Sequence, residues 1–290
     1  MDARRDCFSR DGALFFVGME MPESKRAFGL NGWLRSIPPF IWPALFASGS
    51  GTRLFAPRRR FDPGSPELMD RPGMDRALLR EELQTLEYFN RHAGGHWLVL
   101  QYVKRFAASH PPASLNILDL GTGAADIPRA LVAWARQNQR SLTITAVDGN
   151  PEMLEFAREA GRDWPEIQFE QHDLRALPYA RGSFDLVLCS LTLHHFTTAD
   201  AVTILHQIHQ LARGGYIVND LRRNWLTLWT TAFFALTLSR SPIFRNDALQ
   251  SCRAAFTVRE LRALAEQAGL SNFQIEPHQA LCRMVLTGRK

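Results

Sequence analysis

Lysine is almost missing from this sequence. Of 34 basic residues only Lys25, Lys104 and Lys290 are lysines, and the arginines are spread along the chain. The net charge of +5 therefore reads as a mildly basic surface with the arginine habit of a GC-rich genome, and no nucleic-acid partner is expected. The one cluster, Arg58-Arg59-Arg60, precedes the expected fold. Cysteine is also scarce: Cys7, Cys189, Cys252 and Cys282 include no C-x-x-C pair. That excludes a disulfide framework and a cysteine-rich zinc site, and it fits a reducing cytoplasm. Long hydrophobic runs are absent as well. Ile37–Phe46 is broken by Pro38, Pro39 and Pro43, and Trp225–Leu238 falls short of the ~20 apolar residues of a membrane span. Stable membrane insertion is not expected, and the N-terminus lacks the usual layout of a signal peptide. His206 and His209 have H-x-x-H spacing without a third ligand nearby and flank an apolar stripe, so they read as a solvated helix edge, and no metal is expected.

What is present begins with Leu115-Asn-Ile-Leu-Asp-Leu-Gly-Thr-Gly-Ala-Ala-Asp126. Ile117, Leu118 and Leu120 form a short apolar run suited to a buried parallel strand. Gly121 and Gly123 mark a sharp turn with close backbone approach, and a helical pattern starts near Ile127. Strand, glycine turn and helix make a nucleotide-type binding corner. Asp119 and Asp126 flank it; two carboxylates repel a pyrophosphate but suit a ligand carrying an ammonium and a sulfonium. A nucleotide-dependent oxidoreductase is thus the runner-up. A third acid, Asp148, ends the next strand before Gly149 and can accept from both ribose hydroxyls.

Helical spacing of Leu79, Leu83 and Leu86, then of Trp97, Leu100, Val103 and Phe106, predicts two helices ahead of the corner. Strands are expected at 115–120, 142–147, 167–170, 184–189 and 216–219, with helices at 151–159, 201–211 and 258–268. Two closing strands near 273–276 and 283–287 have no helix between them, so one must run antiparallel.

The stretch Asp119-Leu-Gly-Thr-Gly-Ala-Ala125 resembles the first motif of the class I S-adenosylmethionine-dependent methyltransferases. The good motifs run from Leu115 to Asp220, and within them the segment Cys189-Ser-Leu-Thr-Leu-His-His-Phe196 is similar to small-molecule members of the quinone, sugar and polyketide type. The resemblance implies an α/β fold: a Rossmann-like, doubly wound, seven-stranded sheet, mostly parallel with one antiparallel strand, behind an N-terminal helical cap. Residues 1–68 read as a poorly ordered extension or an artefact upstream of the true start, 69–112 as the cap, and 113–290 as the core with a lid insertion at about 221–256.

The cofactor implied is S-adenosyl-L-methionine, held by Asp119, Gly121, Thr122, Gly123, Asp126, Asp148, Gly149, Asp173, Leu174 and Ser190. In the family, an acid at Asp173 meets the adenine amino group and the N–H of Leu174 a ring nitrogen. His194 and His195, at the carboxyl end of a strand, and Asp220 on the neighbouring strand are the catalytic candidates, a histidine taking the acceptor's proton. Arg222 and Arg223 are candidates for an acidic or phenolate acceptor. Trp229 and Phe233 lie in the apolar run, which reads as a lid over a lipophilic aromatic or polyketide-like acceptor. O-methylation is the first choice and C-methylation of a phenol or quinone-like ring the alternative. A catalytically silent, cofactor-binding partner subunit is the reading from another class. A monomer or homodimer is expected. The Asn-Pro-Pro-Tyr segment of base methyltransferases is missing after the fourth strand, which argues against base methylation of DNA or RNA.

Overall fold

The computed structural model describes residues 56–71, 73–109 and 114–290. Most of the expected extension, including the Ile37–Phe46 patch, lies outside the described residues. Helix α1 (Arg76–His92) starts at Asp75, whose carboxylate accepts from the N–H groups of Ala77 and Leu78. It buries Leu79 and Leu83. Helix α2 (Gly95–Ser109) buries Leu98, Val99, Tyr102, Val103 and Phe106.

The core is one sheet of seven strands: β1 (Ser114–Leu120), β2 (Ser141–Asp148), β3 (Ile167–Gln171), β4 (Phe184–Ser190), β5 (Ala212–Leu221), β6 (Phe273–His278) and β7 (Arg283–Arg289), in the order β3-β2-β1-β4-β5-β7-β6. Strands β1 to β5 pair in parallel, and β7 runs antiparallel to both of its neighbours. The crossovers are α3 (Asp126–Gln137), α4 (Pro151–Ala160) and α5 (Thr198–Leu211). After β5 come α6 (Trp225–Leu238), α7 (Pro242–Ala254) and α8 (Val258–Gln267). The central strands are apolar almost throughout because both faces are covered. Leu118, Leu120 and Val187 pack with Ile204, Leu205 and Leu261 on one face. Ile117, Ile144 and Leu186 pack with Val103, Leu131 and Val132 on the other. In such a sheet the order reverses between β1 and β4, and ligands bind outside the carboxyl ends of the strands there.

Two expectations change. The segment 239–256, read from sequence only as part of a lid, contains helix α7, opened by Ser241, which accepts from the Phe244 N–H. The expected boundary after residue 68 also fails for the last dozen residues of the extension, which pack on the core. The guanidinium of Arg59 donates to the carbonyls of Ala254 at 2.6 Å and Phe196 at 2.8 Å, and lies 4.0 Å over the Phe256 ring. Pro57 accepts from Arg223, and Glu67 is buried. Polar groups removed from water in this way must be partnered, and the partners tie the segment down.

Candidate functional site

Asp119 is the last residue but one of β1, and the chain then turns through Gly121 at φ 69°. A methyl group there would come within 2.3 Å of the Thr192 side chain, so this turn needs glycine for space as well as for conformation. Gly123 follows at φ 54° with no neighbour crowding it. Ala125, just before α3, and Leu191, just after β4, hold left-handed conformations without being glycine, at φ 58° and φ 54°. Such strain concentrates at functional corners. The N–H groups of Gly121 and Thr122 bond to the Val147 carbonyl at 2.8 and 3.0 Å, which locks the corner to β2. Asp148 closes the same loop, accepting from Gly123 N–H and Asn150 N–H, both at 2.9 Å.

These turns open on a cavity of about 820 Å³. Asp119, Gly121, Thr122, Gly123, Asp126, Asp148, Gly149, Asp173, Leu174 and Ser190, every cofactor candidate read from the sequence, line it. Its electrostatics favour a cation. Burial pushes the Asp119 carboxyl up to about 7, with Asp126 and Asp148 adding repulsion. Burial also raises Asp148. Asp126 is lowered: burial opposes its charge, but His96 at 2.8 Å and Asn90 at 3.1 Å hold one carboxylate oxygen and prevail. Asp173 differs again. It is clasped by Arg175, at 2.7 Å through Nη2, and its carboxyl is lowered by that pairing. Three acids, among them one fully buried, form an acceptor set that fits a ligand with an ammonium, a sulfonium and a ribose diol.

At the other end lies a buried polar cluster. A single turn, Leu193–His195, follows β4 and sets the two imidazoles 4.3 Å apart. His194 is buried; its Nδ1 lies 2.6 Å from Asp220 Oδ1, and its N–H donates to Asp220 Oδ2 at 3.0 Å. Adjacent parallel strands β4 and β5 place both residues at one edge of the sheet. His195 Nδ1 lies 3.0 Å from Asp70 Oδ2, and Glu67 Oε1 lies 3.9 Å from His194 Nε2. Burial works against charge on His195, but Glu67 and Asp70 outweigh it and push the imidazole up to about 10. Burial raises the Glu67 carboxyl against the opposing pull of the two histidines. A second cavity of about 390 Å³ opens here, and Glu67, Asp70 and His195 line both cavities. His194 borders only the second.

Four acceptor candidates are placed elsewhere. Arg223 is buried and committed: it donates to Pro57 O at 2.7 Å, to the Ala255 carbonyl at 2.5 Å and to Glu260 at 2.6 Å. Arg222 bridges to Phe256 and lines neither cavity. Trp229 and Phe233, 72% and 47% exposed, also miss both cavities. Helix α6 packs on α7 through its opposite side, where Thr227 and Ala235 are buried, so this pair points outward. Two residues that sequence reasoning missed are Glu67 and Asp70. They stand in a proline- and glycine-rich stretch without periodicity, and the only signal there was a pair of acids three residues apart.

Residues 117–215 match the methyltransferase domain family. The chain is 36% identical over 91 residues to a demethylmenaquinone methyltransferase of Deinococcus radiodurans, covering 31% of this chain and 35% of that protein. It is 28% identical over 103 residues to a ubiquinone/menaquinone biosynthesis C-methyltransferase of a Geobacter species, covering 34% and 42%. The matches thus span less than half the length of these two relatives. Among solved structures, magnesium protoporphyrin IX methyltransferase from Synechocystis with bound S-adenosylhomocysteine superposes with a TM-score of 0.50 at 16% identity, covering 69% of this chain and 84% of that one.

Proposed function

The chain carries a class I methyltransferase domain, and from that premise we propose that it transfers the methyl group of S-adenosylmethionine to a small-molecule acceptor, with oxygen as the first choice of acceptor atom. The observation that carries this reading is the gathering of three acids, two glycines of the corner and the Asp148 loop around one cavity. The cofactor supplies an electrophilic methyl on a sulfonium. Asp119 would meet its ammonium, Asp148 would take the ribose hydroxyls on the oxygen lone pairs left free by the loop, and the Leu174 N–H would meet the adenine ring. Asp173, clasped by Arg175, would share its carboxylate with the adenine amino group.

Met69, Leu83, Leu86 and Phe196 give the same cavity an apolar side wall, which supports a ring-bearing acceptor. The acceptor's proton leaves toward the polar cluster of Glu67, Asp70 and the two histidines, at the boundary of the two cavities. The quinone-methylating relatives support a second reading, C-methylation of a phenol or quinone-like ring, which needs the same groups. Buried free thiols at Cys189 and Cys252 suit a reducing cytoplasm. Among the described residues no helix is long and apolar enough to cross a membrane.

Isothermal titration with S-adenosylhomocysteine tests the cofactor, and methyl-labelled cofactor incubated with cell extract tests the transfer. Saturable binding lost in Asp148→Ala, together with a labelled small molecule, is the expected result. Binding of NADH in place of S-adenosylhomocysteine would overturn the reading.

A further inference from the structure

The cluster at the boundary of the two cavities is more ordered than proton transfer requires. We infer that Glu67, His194 and His195 form a binding site for one divalent transition-metal ion. One ligand atom from each of the three lies within 4.8 Å of the other two, and His194 Nε2 is 3.9 Å from Glu67 Oε1. Ligand atoms bonded at about 2.0–2.2 Å to one ion lie about 3–3.5 Å apart, so contraction by an ångström or so completes the set.

The outer shell makes the stronger case. Metal-ligating histidines give their other ring nitrogen to a carboxylate, which fixes the tautomer and aims the free lone pair. Both histidines have that partner here: Asp220 at 2.6 Å from His194 Nδ1, and Asp70 at 3.0 Å from His195 Nδ1. Glu67 is oriented too, accepting from Ser251 Oγ at 2.5 Å. Three ligands are thus held by three separate second partners, drawn from β5, α7 and the segment before α1.

An ion there would take the place of an imidazole proton as counter-charge to the buried carboxylates. Among the described residues, neither Glu67 nor Asp70 has a lysine or arginine within ion-pair distance; their partners are His194 and His195. Two imidazoles and one carboxylate suit zinc, iron(II), cobalt or manganese, and are poorly matched to calcium or magnesium. Glu67 and His195 line both cavities, so an ion held there keeps open positions toward each. Its use, which rests on the methyl-transfer reading, is to polarise an acceptor hydroxyl at neutral pH.

The test uses the full chain, stripped with a chelator and titrated calorimetrically with zinc chloride and, separately, manganese chloride. One ion per chain is expected, with Glu67→Gln and His194→Asn weakening binding by at least about tenfold and Asp70→Asn by about 10- to 100-fold. Far-ultraviolet circular dichroism and thermal melting show which variants are folded. If a Glu67 or His194 variant fails that check, Ser251→Ala leaves every ligand in place and should weaken the ion by a smaller factor. Absence of saturable uptake of both metals, or folded ligand variants that bind as tightly as the wild type, overturns the site. Ion binding without S-adenosylhomocysteine binding leaves the site standing and removes the methyl-transfer reading. Ion binding with labelled-product formation unaffected by chelation removes the proposed use alone.

Discussion

Asp119 is the best place to perturb the cofactor reading, because its burial turns a charge into a measurable pH dependence. Its carboxyl is raised from 3.8 to about 7, burial being the main cause. The shift of about 3 units corresponds to about 4 kcal/mol. The group is buried to 2% exposure, so little of that is screened away. The sign follows from which state holds the proton. Above pH 4 the unfolded chain loses the Asp119 proton while the folded chain keeps it, so the folded state is progressively disfavoured up to pH 7 and no further. Ligand-free protein should therefore lose stability through this group between about pH 4 and pH 7. Asp119→Asn should remove most of that slope and melt higher than the wild type at pH 8.

A bound ammonium reverses the preference by favouring the carboxylate. Binding then releases a proton below pH 7, and the affinity for S-adenosylhomocysteine should rise by up to about tenfold per pH unit from pH 5.5 to 7 before levelling. Calorimetry in two buffers of different ionisation enthalpy counts the proton directly. A wild-type affinity flat across this range, or an Asp119→Asn variant with an unchanged slope, refutes the assignment of Asp119 to the ammonium.

Gly121→Ala should abolish S-adenosylhomocysteine binding, since the new methyl meets Thr192 at 2.3 Å, whereas Gly123→Ala has open space and should cost only the ~1–2 kcal/mol of a left-handed alanine; paired calorimetry and melting curves check both. A chain beginning at Met69 should lose on the order of 5 kcal/mol, chiefly through the two carbonyl bonds of Arg59, and Arg59→Ala should reproduce most of that loss in urea melts. Trp229→Ser should change stability by no more than about 0.5 kcal/mol and leave S-adenosylhomocysteine affinity alone, because the ring is exposed and away from both cavities.

The end of the cavity at the glycine corner was legible because each of its signals is local. A glycine in a left-handed turn, an acid at a strand end and an apolar run of five to seven residues are each set by backbone geometry within a few positions. Parallel topology then assembles them without further information: Asp119 on β1, Asp148 on β2 and Ser190 on β4 all arrive at the same edge because their strands run the same way. The same logic brought His194 and Asp220 together from adjacent strands β4 and β5. What this logic could not supply was which histidine faces which cavity, since that depends on one turn of chain at Leu193–His195.

The end that carries the histidine and carboxylate cluster was illegible for the converse reason. Its carboxylates come from a segment with no periodic pattern, fixed by long-range contacts: Glu67 by Ser251, and the N–H groups of Leu68 and Met69 by the buried carboxylate of Asp247. Composition there suggested disorder, yet one buried aspartate accepting two backbone N–H bonds is enough to seat the turn that carries Asp70. Helix α6 misled in the opposite direction. Apolar residues on nearly all its sides implied burial on more than one face, but α7 occupies one flank and seals the end, Arg245 donating to the Ser239 and Leu236 carbonyls at 2.9 and 3.1 Å. The remaining stripe of Trp225, Trp229, Phe233 and Leu236 stays exposed. Hydrophobicity fixes how much of a helix wants cover, whereas the direction of its neighbours decides which side receives it, and that direction is written in α7, a helix whose own pattern is an even mixture of polar and apolar residues.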